Sequence, residues 1–95
     1  MILSFADKET EKIFNQEYSK RFSRGLARKA LQKLILIDHA SALGELRNPP
    51  SHHLEILQGN LAGKWSTRIN DRWRIVFQPI DGGANYCDVE VTNYH

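Results

Sequence analysis

An α+β fold is what this sequence predicts: a two-helix hairpin packed on one face of a small, mainly antiparallel β-sheet. Three observations predict it. Helical periodicity is confined to residues 7–42, the segment Asn48-Pro49-Pro50-Ser51 breaks the chain, and beyond it apolar residues recur at every second position. Strands grouped after helices, rather than alternating with them, place the helices on one sheet face. A chain of 95 residues makes one domain, 1–95.

Ile2 to Phe5 reads as a short strand. Asp7 suits a helix N-cap, and Glu9 and Glu11 suit the positive end of the first turn. That helix is expected to run to about Glu17, with Ile13 and Phe14 facing inward. Ser23 caps a second helix, expected from Arg24 to Ala42. Its apolar residues Ala27, Ala30, Leu31, Leu34, Ile37 and Ala40 fall at three- and four-residue steps. Ile35 and Leu36 widen the stripe, so this helix is expected to contact a second layer or a partner. Proline forces extended backbone before it and removes donors, so residues 48–51 end the helical half. Lys64–Ile69, Trp73–Gln78 and Asn85–Thr92 then read as strands, with Asp81-Gly82-Gly83 as the turn between the last two.

Composition excludes several classes of protein. Cys87 is the single cysteine, so no internal disulfide forms and no cysteine metal framework exists. The start, Met1 to Phe5, has no basic region followed by a long apolar stretch, so no signal peptide is expected. No apolar run approaches the roughly 18 residues of a membrane span. Hence no membrane partner is expected, and the chain is assigned to the cytoplasm. The net charge of +2 hides an uneven distribution. Tyr18 to Ile37 carries Lys20, Arg21, Arg24, Arg28, Lys29 and Lys33 and no acid. Arg47, Lys64, Arg68, Arg72 and Arg74 follow against Glu55 and Asp71. Such local fields attract phosphate, although a basic helix face by itself is more often simply solvated.

The connection at Asn70-Asp71-Arg72 decides which side chains share a face. A three-residue loop pairs Ile69 with Trp73, Thr67 with Ile75 and Trp65 with Phe77, which is one coherent core face. A two-residue loop would mix charged and apolar groups on both faces. A one-residue slip flips every side chain, so the coherent pattern selects the longer loop. That loop is expected to use a left-handed Asn or Asp. In this register Arg68 lies opposite Arg74, beside Ser66, Lys64 and Gln78. Like charges across a strand pair destabilise it, so something must compensate. If Cys87, Val89 and Val91 point into the core, Asp88 and Glu90 reach the arginines. A bound polyanion between the guanidiniums serves equally well. If the last strand continues, Tyr94 is expected on the same face, with His95 at its rim. Arginine, tyrosine, histidine and a carboxylate suffice for metal-free RNA cleavage: a base takes the 2′-hydroxyl proton, arginine stabilises the phosphorane, and an acid protonates the leaving 5′-oxygen.

The stretch LEILQGNLAGKWSTRINDRWRIVFQ, the RNPP before it, the opening MILSF and the terminal YH together resemble the HigB group of the RelE/ParE toxin superfamily. The resemblance covers essentially the whole chain. It implies a compact microbial-RNase-like (RelE-like) fold and a ribosome-dependent endonuclease that cuts translated mRNA. It also implies a HigA-like helix-turn-helix antitoxin, through which alone operator DNA is bound. On this resemblance Arg74 falls on the phosphate-contacting arginine, and Tyr94 and His95 on the terminal pair tied to activity. Asn93 stands where some members carry aspartate. Glu55 stands where one branch has a catalytic histidine and others have glutamate, so the general base is open between residues. The resulting assignment puts Arg74 and Arg68 on the scissile phosphate and His95 as general acid or base. Tyr94 orients or stacks, Glu55 is a candidate base, and Lys64 and Arg72 contact RNA. No cofactor is implied. Two other readings are a non-catalytic ParE-like toxin and an inactive antitoxin-binding module.

The remaining candidates read as structural. His52 and His53 are expected at the surface, with no metal site. Cys87 reads as a small buried hydrophobe, and Trp65, Trp73 and Phe77 read as packing rather than base stacking. Gly59 and Gly63 lack the spacing and the Lys-Ser/Thr ending of a phosphate-binding loop. Lys20, Arg24 and Arg28 form a solvated stripe which, in the family context, is a candidate for ribosomal RNA or acidic antitoxin residues.

Overall fold

The computed structural model describes residues 1–47, 52–61 and 63–93. Asp7 caps the first helix, α1 (Lys8–Phe14), its carboxylate accepting from Thr10 N. The helix closes three residues before Glu17, where it was expected to end. Gln16 turns left-handed at φ 60°, Glu17 N donates to Lys12 O and Gln16 N donates to Ile13 O. This is a Schellman closure built without the usual glycine, so the residue type did not mark it. Ser23 caps α2 (Arg24–His39), accepting from Leu26 N. Ala40 is already extended, so α2 ends three residues short of the expected Ala42, and a 3₁₀ turn follows over Leu43–Arg47.

The four strands β1 (Glu55–Ile56), β2 (Trp65–Arg68), β3 (Trp73–Ile80) and β4 (Asn85–Asn93) lie in the order β1-β2-β3-β4, each antiparallel to its neighbour. The expected opening strand is realised as two parallel bridges, Ile2 with Tyr86 and Phe5 with Val89, along the outer edge of β4. Leu3 N donates to Tyr86 O at 2.7 Å and Ala6 N to Val89 O at 2.9 Å, so this segment covers an otherwise open edge. The two-residue edge strand β1 carries no alternation long enough to read, and its pairing with β2 was not expected. The expected break at Asn48, Pro49, Pro50 and Ser51 lies outside the described residues.

The hairpin register is the expected one. Trp65 pairs with Phe77, Thr67 with Ile75 and Arg68 with Arg74, and Ile69 N donates to Trp73 O. The loop closes differently. None of Asn70, Asp71 and Arg72 adopts a positive φ. Instead Asn70 Oδ1 accepts from both Arg72 N and Trp73 N, each at 2.9 Å, so a side chain supplies the turn that a left-handed residue was expected to make.

Both helices lie on one sheet face. Ile13, Ala30, Leu34 and Ile37 pack against Ile69, Ile75, Phe77, Tyr86, Val89 and Val91. Trp65 and Trp73 border this cluster, with Trp73 edge-on to Phe22 at 5.4 Å, so the tryptophans are packing groups as expected. Thr10 Oγ1 accepts from Val91 N at 3.0 Å and ties α1 to β4. Ile35 and Leu36 do not reach a second layer; they are 41% and 47% exposed.

The strand β4 departs from strict alternation. Val76 pairs with Glu90 but Gln78 pairs with Cys87, and the intervening Asp88 is left-handed at φ 53°. The bulge shifts the phase, so Tyr86 takes the core position expected of Cys87. Cys87 is instead half-buried on the far face beside Gln78.

Candidate active site

The sheet face turned away from the helices collects the polar residues of the even-numbered positions. Two cross-strand rows form it. Glu55 pairs with Ser66, Ser66 with Val76 and Val76 with Glu90. Arg68 pairs with Arg74, and Arg74 with Thr92.

Arg74 is the centre of this face and is only 6% exposed. A guanidinium that far from water must be hydrogen-bonded and paired. Its Nε donates to Ser66 Oγ at 2.9 Å and its Nη2 donates to the His53 carbonyl at 2.9 Å. The same Nη2 lies 3.6 Å from Glu55 Oε1. Each partner comes from a different place: Ser66 from the adjacent strand, Glu55 from the edge strand, His53 from the segment entering it. The planar fork is thereby held in one orientation, with the exposed Glu55 carboxylate beside it.

The expected clash between Arg68 and Arg74 is relieved inside the protein. Arg68 Nε donates to Asn70 O at 3.2 Å and its Nη2 pairs with the Asp71 carboxylate. The two guanidiniums therefore diverge, one toward the turn and one toward the sheet edge. Among the described residues the acids beside the two arginines are Asp71 and Glu55. Among the described residues neither Asp88 nor Glu90 pairs with an arginine, because the bulge has rotated Asp88 away. Lys64 stands half-buried just before β2, and Arg72 is exposed in the β2–β3 turn, so they lie at opposite ends of this hairpin. Tyr94 and His95 lie outside the described residues.

The histidine pair splits. His53 is exposed, with φ 46°, while His52 is 3% exposed rather than at the surface. Burial and the Lys33 ammonium lower the His52 pKa, opposed by a hydrogen bond to the Leu46 backbone. Burial, with Asp88 adding to it, pushes the Cys87 thiol up, which favours the unreactive thiol. Among the described residues no three His, Cys, Asp or Glu side chains converge as metal ligands do. Ser66 and the His53 carbonyl are the Arg74 partners that sequence reading did not single out. Ser66 was placed on the arginine face, but serine carries no local mark of an arginine partner eight residues away.

Comparison with known proteins agrees with this architecture. Residues 3–94 match the model of a family described as the RelE-like toxin of the type II toxin–antitoxin system HigB. Toxin HigB-1 of Vibrio cholerae is 39% identical over 85 residues, covering 88% of this chain and 90% of that protein. Endoribonuclease HigB of Proteus vulgaris is 33% identical over 95 residues, covering 100% of both. Among solved structures, the fold is similar to a chain of the YoeB–YefM complex from Staphylococcus aureus, with TM-score 0.58, 24% identity and coverage of 100% of this chain and 95% of that one. It is also similar to the YoeB/ParE toxin from Agrobacterium tumefaciens, with TM-score 0.59, 17% identity and coverage of 99% and 98%. At these identities the two structures speak to the fold alone.

Proposed function

We propose that this chain, which belongs to the HigB-like family of RelE-like type II toxins, is an endoribonuclease that cuts mRNA on the translating ribosome. A relative that matches it end to end carries the name endoribonuclease. The observation that supports the reading best is the Arg74 guanidinium, fixed by Ser66 and the His53 carbonyl and set 3.6 Å from the Glu55 carboxylate. A preorganised donor fork stabilises charge that develops on a phosphorane, and a carboxylate beside it is placed to take a proton from an adjacent hydroxyl.

In this mechanism the RNA 2′-hydroxyl attacks the neighbouring phosphorus. Glu55 or His95 removes the hydroxyl proton, Arg74 stabilises the pentacoordinate phosphorane, and the other of the two groups or Tyr94 protonates the departing 5′-oxygen. Tyr94 also stacks or orients the base at the cut. Arg68, Lys64 and Arg72 hold the RNA backbone. The products are a 2′,3′-cyclic phosphate or 3′-phosphate and a 5′-hydroxyl, and the chemistry draws on no cofactor. The partner is a HigA-like helix-turn-helix antitoxin, and operator DNA is reached only through it. The toxin acts in the cytoplasm, where ribosomes and mRNA meet. No helix among the described residues is long and apolar enough to cross a membrane.

The test is a purified translation reaction with the cut message mapped and its ends analysed. The wild-type protein cuts ribosome-bound message and leaves 5′-hydroxyl ends. Arg74→Met lowers the rate by about 10²–10³-fold, the usual loss on removing one preorganised transition-state donor. A 5′-phosphate product excludes 2′-hydroxyl attack, and equal cleavage of naked mRNA excludes ribosome dependence. Growth arrest with intact message would place the chain with non-catalytic toxins instead.

A further inference from the structure

Beside the Arg74 site, between α2 and the β2–β3 turn, lies an open cleft of about 450 Å³. Lys29 and Lys33 line its helix side, Arg68, Ile69, Asn70 and Asp71 its sheet side, and His53 also lines it. The lining is polar and cationic, which does not suit an apolar small molecule. Among the described residues three basic side chains face one carboxylate, Asp71, which is already paired with Arg68.

The two lysines are four residues apart on α2, so they rise from the same helix face. The one acid in α2, Asp38, stands at the far end and accepts from Ile2 N. Desolvation and the Lys29 charge both lower the Lys33 pKa. The protein alone therefore holds two ammonium groups against each other, and an anion between them relieves that repulsion. Asn70 Oδ1 is occupied by two backbone N–H groups, which leaves its amide nitrogen as a further donor for an anion.

The cleft is continuous with the candidate active site through His53. This residue lines the cleft while its carbonyl accepts from Arg74 Nη2 at 2.9 Å. Arg68, on the other side, is the cross-strand partner of Arg74. A chain of phosphates bound at Arg74 thus meets this cleft within a short step along its backbone.

We propose that the cleft binds a second RNA phosphate, one other than the phosphate being cut, with Lys29 and Lys33 as its helix-side ligands and Arg68 as its sheet-side ligand. The inference rests on the reading of the chain as a toxin that acts on RNA. The phosphate belongs either to the message or to ribosomal RNA, and both present the same group. An acidic protein segment is a different class of partner, which the charge density and the continuity with Arg74 do not favour.

The double substitution Lys29→Gln/Lys33→Gln tests it. Lys29 is exposed and Lys33 half-buried, so the fold is retained. Lys8→Gln/Lys12→Gln removes equal charge from α1, outside the cleft, and serves as the control. Binding is measured across a range of salt, in one arm to a fluorescent single-stranded RNA oligonucleotide and in the other to ribosomes without message, by co-sedimentation. Losing the one phosphate held there lowers the magnitude of the slope of log K against log salt by roughly 0.7, the value for each phosphate of a single strand. A drop in the oligonucleotide arm assigns the phosphate to the message, and a drop in the ribosome arm alone assigns it to ribosomal RNA. Slopes equal to the control's in both arms, or no wild-type binding in either, overturns the proposal. A protein that shows the slope change yet cuts no message refutes the cleavage reading and leaves the cleft in place. Cleavage with unchanged slopes does the reverse.

Discussion

Ser66→Ala isolates what holds Arg74. Ser66 is 0% exposed and its hydroxyl accepts from Arg74 Nε at 2.9 Å. The alanine removes one oxygen and leaves almost no cavity, so the loss is that of the hydrogen bond. A bond to a charged group contributes about 1.5–3 kcal/mol, and Arg74, at 6% exposure, has little water to replace it. We expect urea unfolding, followed by Trp65 and Trp73 fluorescence, to show a stability loss of about 1.5–3 kcal/mol with an unchanged m-value. Repeating the substitution in the Arg74→Met background completes a double-mutant cycle. There the Ser66 hydroxyl has lost its donor, so its removal is expected to be neutral or slightly stabilising, with a coupling energy above about 1.5 kcal/mol. If the same energy orients the guanidinium at the phosphorane, Ser66→Ala also slows cleavage by about tenfold or more, since 1.4 kcal/mol is a factor of ten. Equal cost of Ser66→Ala with and without the arginine, within about 0.5 kcal/mol, would show that the serine does not hold Arg74.

Three further outcomes are expected. Gly83→Ala places a Cβ 2.3 Å from Leu43 N at a residue with φ +99°, so overlap and strain together destabilise by more than about 2 kcal/mol; a melting temperature within a degree of wild type would contradict this. Asn70→Ala removes the acceptor for Arg72 N and Trp73 N and costs about 1–2 kcal/mol, whereas Asn70→Asp keeps the acceptor and most of the stability, as paired urea titrations would show. Because burial and Lys33 lower the His52 pKa, the unfolded chain binds a proton there that the folded chain resists. Stability therefore falls as pH drops from about 6.5 through the lower folded value, and unfolding midpoints at pH 7.5 and 5.5 should differ less in His52→Gln.

Much of this protein is legible in its residues because the physics behind those parts is local. Asp7 and Ser23 cap helices through their own side chains, and both helix starts can be read directly. The β2–β3 register follows from a short loop and period-two alternation, since a one-residue slip would bury Arg74 and Arg68 among the aromatics and expose Trp65 and Phe77. That register also places the arginine face, and with it the position of Arg74.

Tertiary structure decided the rest, through contacts between residues far apart in sequence. The two residues of β1 are a strand only because β2 offers an edge, and Glu55 reaches Arg74 only because of that pairing. The bulge at Asp88 exchanges Cys87 for Tyr86 in the core and removes Asp88 from the arginines, and no periodicity foretells a single inserted residue. His52 is buried against the Leu46 backbone although its neighbour His53 stays exposed. Lys29 and Lys33, which read as part of a solvated basic face, face a cleft because the β2–β3 turn lies opposite them. Residue types set which groups can bind phosphate; the distances between strands, turn and helix set which of them can do so together.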